Sequence, residues 1–247
     1  MKGYAYIISR ITDKRKGIKM ARILVFNGSP KGKRSDTMHI TRAFLRGMEQ
    51  AAPQQIEEIR VIEKHIEYCT GCFACMRNGG TCIHRDDMQA ILEKILQSNI
   101  LLFSFPLYCY GMPAPLKALI ERTLPLSSMA MRKVEDRYEH VEQAGFSHLK
   151  YVMLSGCGFP GRENNFEPAV LQFQRMFGKD STILTVAESP LFNVPSAECV
   201  THPYLKLVEQ AGEAYARTGE IPAALHRALA VPMIPENMYV KIANGEK

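Results

Sequence analysis

The sequence predicts a doubly wound α/β sandwich, a parallel sheet covered by helices on both faces. Three observations carry that expectation. Short apolar runs recur along the 247 residues, with helix-period patterns between them. Most of the runs are continuously apolar, as strands buried on both faces require. Strand–helix alternation repeated about five times, with right-handed crossovers, then leaves the layered sandwich as the simplest topology.

The elements follow in order. RILVFN (22–27) is the first strand, and IEEIRVI (56–62), more polar and alternating, suits an edge. NILLFSFP (99–106), LKYVMLSG (149–156) and STILTVAE (181–188) complete the sheet. Ile40, Phe44, Leu45 and Met48 make one helical stripe, and Met88, Ile91, Leu92, Ile95 and Leu96 a second. Asp86 and Asp87 stand where the second of these helices begins, where carboxylates accept orphan amides. Pro113 and Pro115 suit the opening turn of a helix carrying Leu116, Leu119 and Ile120. Residues 125–148 read as an insertion or long loop, and the chain from Pro222 as a short helix followed by an extended arm. The organisation expected is an N-terminal extension (1–21), one main domain (22–220) and a C-terminal helix and arm (221–247).

Composition narrows the function classes. With 46% hydrophobic and 23% charged residues the chain is ordinary globular material. A net charge of +6, spread along the chain, fits an anionic ligand or a solvated surface and gives no footprint for nucleic acid. No stretch has the apolar length of a membrane span, so no membrane partner is expected. The first residues lack the long apolar core of an export signal, and Met20 immediately precedes the first strand. Seven cysteines, an odd number, then suggest a cytoplasmic chain with reduced thiols.

In such a sheet the ligand sits at the carboxyl ends of the strands, at the topological switch point. After the first strand comes NGSPKGKRSDT (27–37), which is neither G-x-G-x-x-G nor a Walker A loop. It offers the hydroxyls of Ser29, Ser35 and Thr37 at a helix N-terminus, which suits a phosphate monoester; an ordinary loop with Ser35 or Asp36 as N-cap is the alternative. The third strand ends in SFPLYCYGMPAPLK (104–117), where Tyr108 and Tyr110, with Gly111 allowing close approach, can flank a flat ring. The fourth ends in the glycine-rich SGCGFPGRENNF (155–166). If the strand order is 2-1-3-4-5, these three loops converge on one crevice, an arrangement that binds FMN.

Four cysteines, Cys69, Cys72, Cys75 and Cys82, fall within fourteen residues after the edge strand. Their spacing, C-x2-C-x2-C-x6-C, suits the corners of a [4Fe–4S] cubane better than zinc, which takes two separated pairs. The proline that follows the last cysteine of bacterial ferredoxin runs is replaced by Ile83. Two alternatives stay open: the thiols pack beside a flavin, or a C-x-x-C pair runs thiol–disulfide exchange. Cys109, Cys157 and Cys199 lie outside the motif and read as structural.

Taken in order, ILVFNGSPKGKRSDT, CTGCFACMRNGGTCIHRDDM and FPLYCYGMPAPLKALIERT resemble the NAD(P)H-dependent FMN reductase family of flavodoxin-like proteins. The cysteine run resembles that of the iron–sulfur flavoproteins within it. The resemblance covers residues 22–190 and implies a flavodoxin-like three-layer sandwich, with a five-stranded parallel sheet in the order 2-1-3-4-5 and FMN at the switch point. It also implies a homodimer or homotetramer in which a neighbouring subunit helps enclose the flavin. Ser29, Ser35, Asp36 and Thr37 match the family's phosphate loop, with Ser-Asp-Thr in place of the commoner Gly-Asn-Thr, and Lys31 stands where a basic residue often follows. Pro106, Leu107, Tyr108, Cys109, Tyr110 and Gly111 match the loop beside the isoalloxazine, with Cys109 where a bulkier aromatic is frequent. Ser155 and Gly156 match the loop at the pyrimidine edge. The function implied is electron transfer from NAD(P)H, or from a reduced carrier, to a small-molecule or protein acceptor. The other reading is an electron-transfer module working with ferredoxin-like partners. No catalytic side chain is required, because the flavin carries the chemistry.

Overall fold

An apolar run with no polar face is satisfied only inside a sheet, and Leu24, Val25 and Phe26 of β1 (Arg22–Asn27) are buried there. The structure, a computed structural model, describes residues 20–142 and 148–246; the N-terminal extension through residue 19 lies outside the described residues. Chain order continues with α1 (Asp36–Ala51), β2 (Gln55–Arg60), the one-turn α2 (Ala74–Arg77), α3 (Met88–Gln97), β3 (Ile100–Pro106) and α4 (Ala114–Glu121). Then come β4 (Ser127–Val134), β5 (Arg137–Glu142), β6 (Lys150–Gly156), α5 (Glu167–Phe177), β7 (Thr182–Val186), α6 (Glu198–Thr218), α7 (Ala223–Ala228) and α8 (Glu236–Ala243).

The main sheet is parallel throughout, in the order β2-β1-β3-β6-β7. This is the expected 2-1-3-4-5 with β2, the most polar strand, at an edge. One face carries α1 and α6, whose Ile40, Phe44, Met48, Val208, Ala211 and Tyr215 close one core. The other carries α3, α4 and α5, with Ile91, Ile95, Leu116, Leu119, Ala169 and Phe173. Three layers result. Leu96 departs from its expected place and is exposed, because it lies roughly 80° round the helix from Met88, at the rim of the apolar arc.

Two segments read as irregular are ordered. β4 and β5 form an antiparallel hairpin joined by Glu135–Asp136, with Glu135 at φ 56°. The tail after α7 holds a second helix, α8, where an extended arm was expected. It folds back on the ends of β6 and β7: Tyr204 Oη donates to the Leu229 carbonyl at 2.7 Å, and Tyr239 Oη to the Gly158 carbonyl at 3.0 Å. The buried Glu188 accepts the Met233 amide at 2.6 Å, yet its other oxygen has no partner. Among the described residues no helix is long and apolar enough to cross a membrane.

The tightest packing is between α1 and α6. A Cβ on Gly47 would lie 1.8 Å from the Glu209 carbonyl oxygen, and one on Gly212 1.9 Å from that of Phe44. The two backbones touch, and only glycine fits at both positions. Gly47→Ala and Gly212→Ala are each expected to cost about 3 kcal/mol, at the upper end of overpacking penalties. Urea unfolding checks this; a loss below about 1 kcal/mol would mean the helices part freely.

Glu188 gives a pH test. Burial raises its carboxyl above the ordinary range, against the pull of the Met233 and Ile234 amides. A raised folded value means that its contribution is fully present below the unfolded value and lost as pH rises through the folded one. Glu188→Gln removes the charge. Its melting temperature should therefore gain on the native chain's as pH is raised from 4.5. A difference that does not change with pH would refute this.

Candidate functional site

The loops after β1, β3 and β6 are stitched together by main-chain bonds. The Gly28 amide donates to the Ser104 carbonyl, and the Leu107 amide to that of Gly156, both at 2.8 Å. The third side is closed by α1: a Cβ on Gly156 would lie 3.0 Å from Thr37 Cγ2 and 2.7 Å from Ser189 Cβ. Glycine is what lets the end of β6 approach the start of α1.

Within this crevice the phosphate-loop candidates gather as expected. Ser29, Ser35 and Thr37 are buried, with Ser35 Oγ and Thr37 Oγ1 2.8 Å apart. Ser35 holds the N-cap position of α1 but makes no capping bond with its side chain, so its hydroxyl belongs to the pair with Thr37. Asp36 is occupied by Lys31, whose Nζ lies 2.7 Å away, and by the amide of Asn193. Ser155, at the end of β6, is fully buried with its Oγ unpartnered. A buried hydroxyl without a protein partner is costly, so a polar ligand group that it could bond would suit this place.

The third-strand loop is strained. Tyr108 and Gly111 exchange main-chain bonds of 3.0 and 2.9 Å across a two-residue turn, with Cys109 at φ 47° and Tyr110 at φ 61°. Two positive φ values define a primed turn, normally built from Asn and Gly. Tyr108 and Tyr110 are 44% and 50% exposed, so neither ring is core. Tyr110 stacks on Phe159, ring centres 6.2 Å apart and planes at 11°. Pro106, Leu107 and Gly111 are half-buried beneath them.

The cysteine loop lies beyond β2 and is closed at its base. Asp87 Oδ2 accepts the His65 amide at 2.8 Å, and the Asp87 amide donates to the His65 carbonyl at 3.0 Å. Asp86 Oδ2 accepts the Glu67 amide at 2.9 Å and Oδ1 accepts that of Met88 at 3.1 Å. Arg122, following α4, forks onto Asp86 at 2.6 and 3.1 Å and donates to the Glu67 carbonyl at 2.7 Å. The side chains of Arg122 and Asp86 are 2% and 1% exposed. Burial opposes both charges; Arg122 and the two amides outweigh it and hold Asp86 below the ordinary carboxylate range.

Cys69, Cys72, Cys75 and Cys82 line one shallow concavity, open to solvent, together with His84, Glu121, Arg122, Leu124 and Pro125. Burial pushes the Cys75 thiol up, and the neighbouring Cys82 and Cys69 push the same way. The Ala74 amide and the Thr70 hydroxyl hold exposed Cys72 down. Among the described residues no three His, Cys, Asp or Glu side chains are drawn to one metal-holding point. Outside the motif, burial pushes Cys157 up to about 11, whereas Cys109 and Cys199 are exposed. Of those three, only Cys157 keeps the structural role expected of it.

A profile of the family described as "Flavodoxin-like fold" matches residues 21–179. The chain belongs to this flavodoxin-like family. It is similar to an iron-sulfur flavoprotein of Archaeoglobus fulgidus, 32% identical over 98 residues, 40% of this chain and 43% of that protein. A Bacillus subtilis protein named as an NAD(P)H-dependent FMN-containing oxidoreductase is 32% identical over 99 residues, 40% of this chain and 50% of that one. The chain thus spans about half the length of the curated relatives it matches. An FMN-dependent NADH-azoreductase from Bacillus anthracis, solved with FMN, superposes with a TM-score of 0.55 at 16% identity, over 80% of this chain and all of that one. The last likeness is one of fold.

This flavodoxin-like crevice fits FMN on its own chemistry. It has buried hydroxyls at a helix N-terminus, an orphan hydroxyl at Ser155, and a glycine where any side chain would clash. The cysteine loop matches an iron–sulfur group in donor type alone, since its side chains do not converge on one metal-holding point among the described residues. Sequence reading passed over Phe159, Asn193 and Arg122. An aromatic inside the glycine-rich GFPG turn was a signal for the first; the other two carried none.

The strained turn yields a test. Replacing Cys109–Tyr110 by Asn–Gly should stabilise the fold by roughly 1–3 kcal/mol, the range for relieving left-handed strain. Urea unfolding measures it, and unchanged stability would mean that the turn stores no strain.

Proposed function

We propose that the chain is an FMN-dependent oxidoreductase taking electrons from NAD(P)H or a reduced carrier and passing them to a small-molecule or protein acceptor. The carrying observation is the meeting of three strand-end loops around buried hydroxyls, one of them, Ser155, partnerless. Bound FMN supplies hydride and one-electron chemistry; the chain has to hold it, orient it and admit its partners. Ser29, Ser35 and Thr37, with the amides opening α1, hold the phosphate. Lys31 neutralises Asp36 beside it. Ser155 and Gly156 serve the polar edge of the ring. Pro106, Leu107, Tyr108, Cys109, Tyr110 and Gly111 form the wall beside it, and Phe159 backs Tyr110. The names of the Bacillus subtilis and Archaeoglobus fulgidus relatives support the reading.

Cys69, Cys72, Cys75 and Cys82 hold a [4Fe–4S] cluster on this reading, which is supported by the shared concavity and by soft thiolate donors. That same observation favours a second reading, an electron-transfer module exchanging electrons with ferredoxin-like partners. The working form is a cytoplasmic homodimer or homotetramer; the exposed Met129, Met131 and Tyr138 of the hairpin supply apolar surface for a second copy.

Ser29→Ala with Thr37→Ala should weaken FMN binding to the apoprotein, since hydrogen bonds to charged groups are worth about 1.5–3 kcal/mol each. Fluorescence titration checks this, and unchanged affinity would move the phosphate elsewhere. Steady NAD(P)H consumption with FMN and a quinone selects the enzyme over the electron-transfer module. Its absence, in protein that binds FMN, selects the module.

A further inference from the structure

The turn after β6 is bonded from two sides. Toward the sheet, the Cys157 amide donates to the Val186 carbonyl at 2.9 Å. The Ser189 amide and hydroxyl donate to the Cys157 carbonyl at 2.9 and 3.1 Å. Toward the C-terminal tail, Tyr239 Oη donates to the Gly158 carbonyl at 3.0 Å. One residue on, the Phe159 carbonyl accepts the Glu188 amide at 2.9 Å, and the Glu188 carboxylate accepts the Met233 amide at 2.6 Å. The tail thus reaches two consecutive residues of the turn, Gly158 directly and Phe159 through Glu188. The helix that carries Tyr239 is otherwise solvated. Tyr239 alone is buried among the described residues of α8, whereas Met238, Val240 and Ile242 are exposed. A helix that buries one side chain adds little apolar area to the core. Its hydroxyl bond lands on a crevice loop, next to Phe159, whose half-exposed ring stacks on Tyr110 with centres 6.2 Å apart. Burial pushes the Tyr239 hydroxyl up to about 12, so it stays a donor at neutral pH. The stretch shared with the family ends at residue 179, so it contains the turn and lacks this tether.

We propose that Tyr239 is a positioning residue for the flavin site: its bond to Gly158 holds the turn after β6, so that Phe159 sets the Tyr110 ring at the wall of the crevice. The proposal rests on the FMN reading given above. A turn held in place before the ligand arrives need not be ordered at the moment of binding. A turn released by loss of the bond has to be ordered by the flavin itself, and affinity falls accordingly.

The test uses the full chain depleted of flavin and titrated with FMN, with flavin emission as the readout and urea unfolding alongside. Tyr239→Phe keeps the ring and removes the hydrogen bond. Its FMN affinity should fall about fivefold, the worth of one ordinary hydrogen bond, and emission from the bound flavin should rise as the aromatic wall loosens. Phe159→Leu is made alone and together with Tyr239→Phe, because residues that act through one another give non-additive effects. The double variant should bind FMN no more weakly than Phe159→Leu alone. Losses that add in full overturn the route through Phe159, and with it the proposal. A lowered urea midpoint with unchanged FMN affinity and emission also overturns it, because Tyr239 would then be a scaffold for the tail; the FMN reading would stand. A native chain that binds no FMN overturns that reading, and this proposal with it.

Discussion

The buried pair of Arg122 and Asp86 constrains more of the molecule than its two side chains suggest. Through it the segment following β2, the start of α3 and the end of α4 are held at one point. Removing one partner of such a pair strands a charge and typically costs about 3–5 kcal/mol. The cysteine loop between residues 67 and 86 therefore hangs from a fixed base, and its own short helix, α2, does little to order it.

The crevice is organised on the opposite principle. There the main chain does the fixing, through bonds between strand ends, and the side chains are left with unmet capacity: the Ser35–Thr37 pair, the orphan Ser155, the strained tyrosine turn. Strain and unsatisfied polar groups persist only where the surrounding structure over-determines them. A parallel sheet with both faces covered supplies that rigidity. The two sites therefore differ in kind: one is fixed by main-chain bonds between strand ends, the other is a loop closed at its base by a buried ion pair.

Most of the architecture was legible because it rests on hydrophobic period. The five strand runs and the stripes of α1 and α3 follow from which residues must leave water, whereas the strand order came from the family resemblance. What escaped reading lacks such a signature. The β4–β5 hairpin turns at Glu135–Asp136, without the Asn–Gly that usually announces a primed turn, and its apolar residues Met129, Met131 and Tyr138 are exposed, so no buried face betrays it. Arg122 ends an amphipathic helix, where an arginine is ordinarily solvated; its burial depends on a carboxylate 36 residues away. Asp86 was read as a helix start and does cap Met88, but its larger task is tertiary and invisible in local sequence. Among the site residues, loop position was legible and exposure was not: Cys109 and Cys157 looked alike in sequence and differ completely in burial.

The glycine contact between α1 and α6 bears on where the smallest autonomous flavodoxin unit ends in this chain. The stretch shared with the family stops at residue 179, whereas the helix that meets Gly47 backbone to backbone begins at Glu198. A fragment trimmed to the shared stretch would leave Ile40, Phe44 and Met48 without Val208, Ala211 and Tyr215 over them. The loop after β1 enters α1 directly, so it would lose its footing in the same cut. Family membership and physical self-sufficiency thus have different borders here, and the packing of α1 depends on a helix that the shared stretch does not contain.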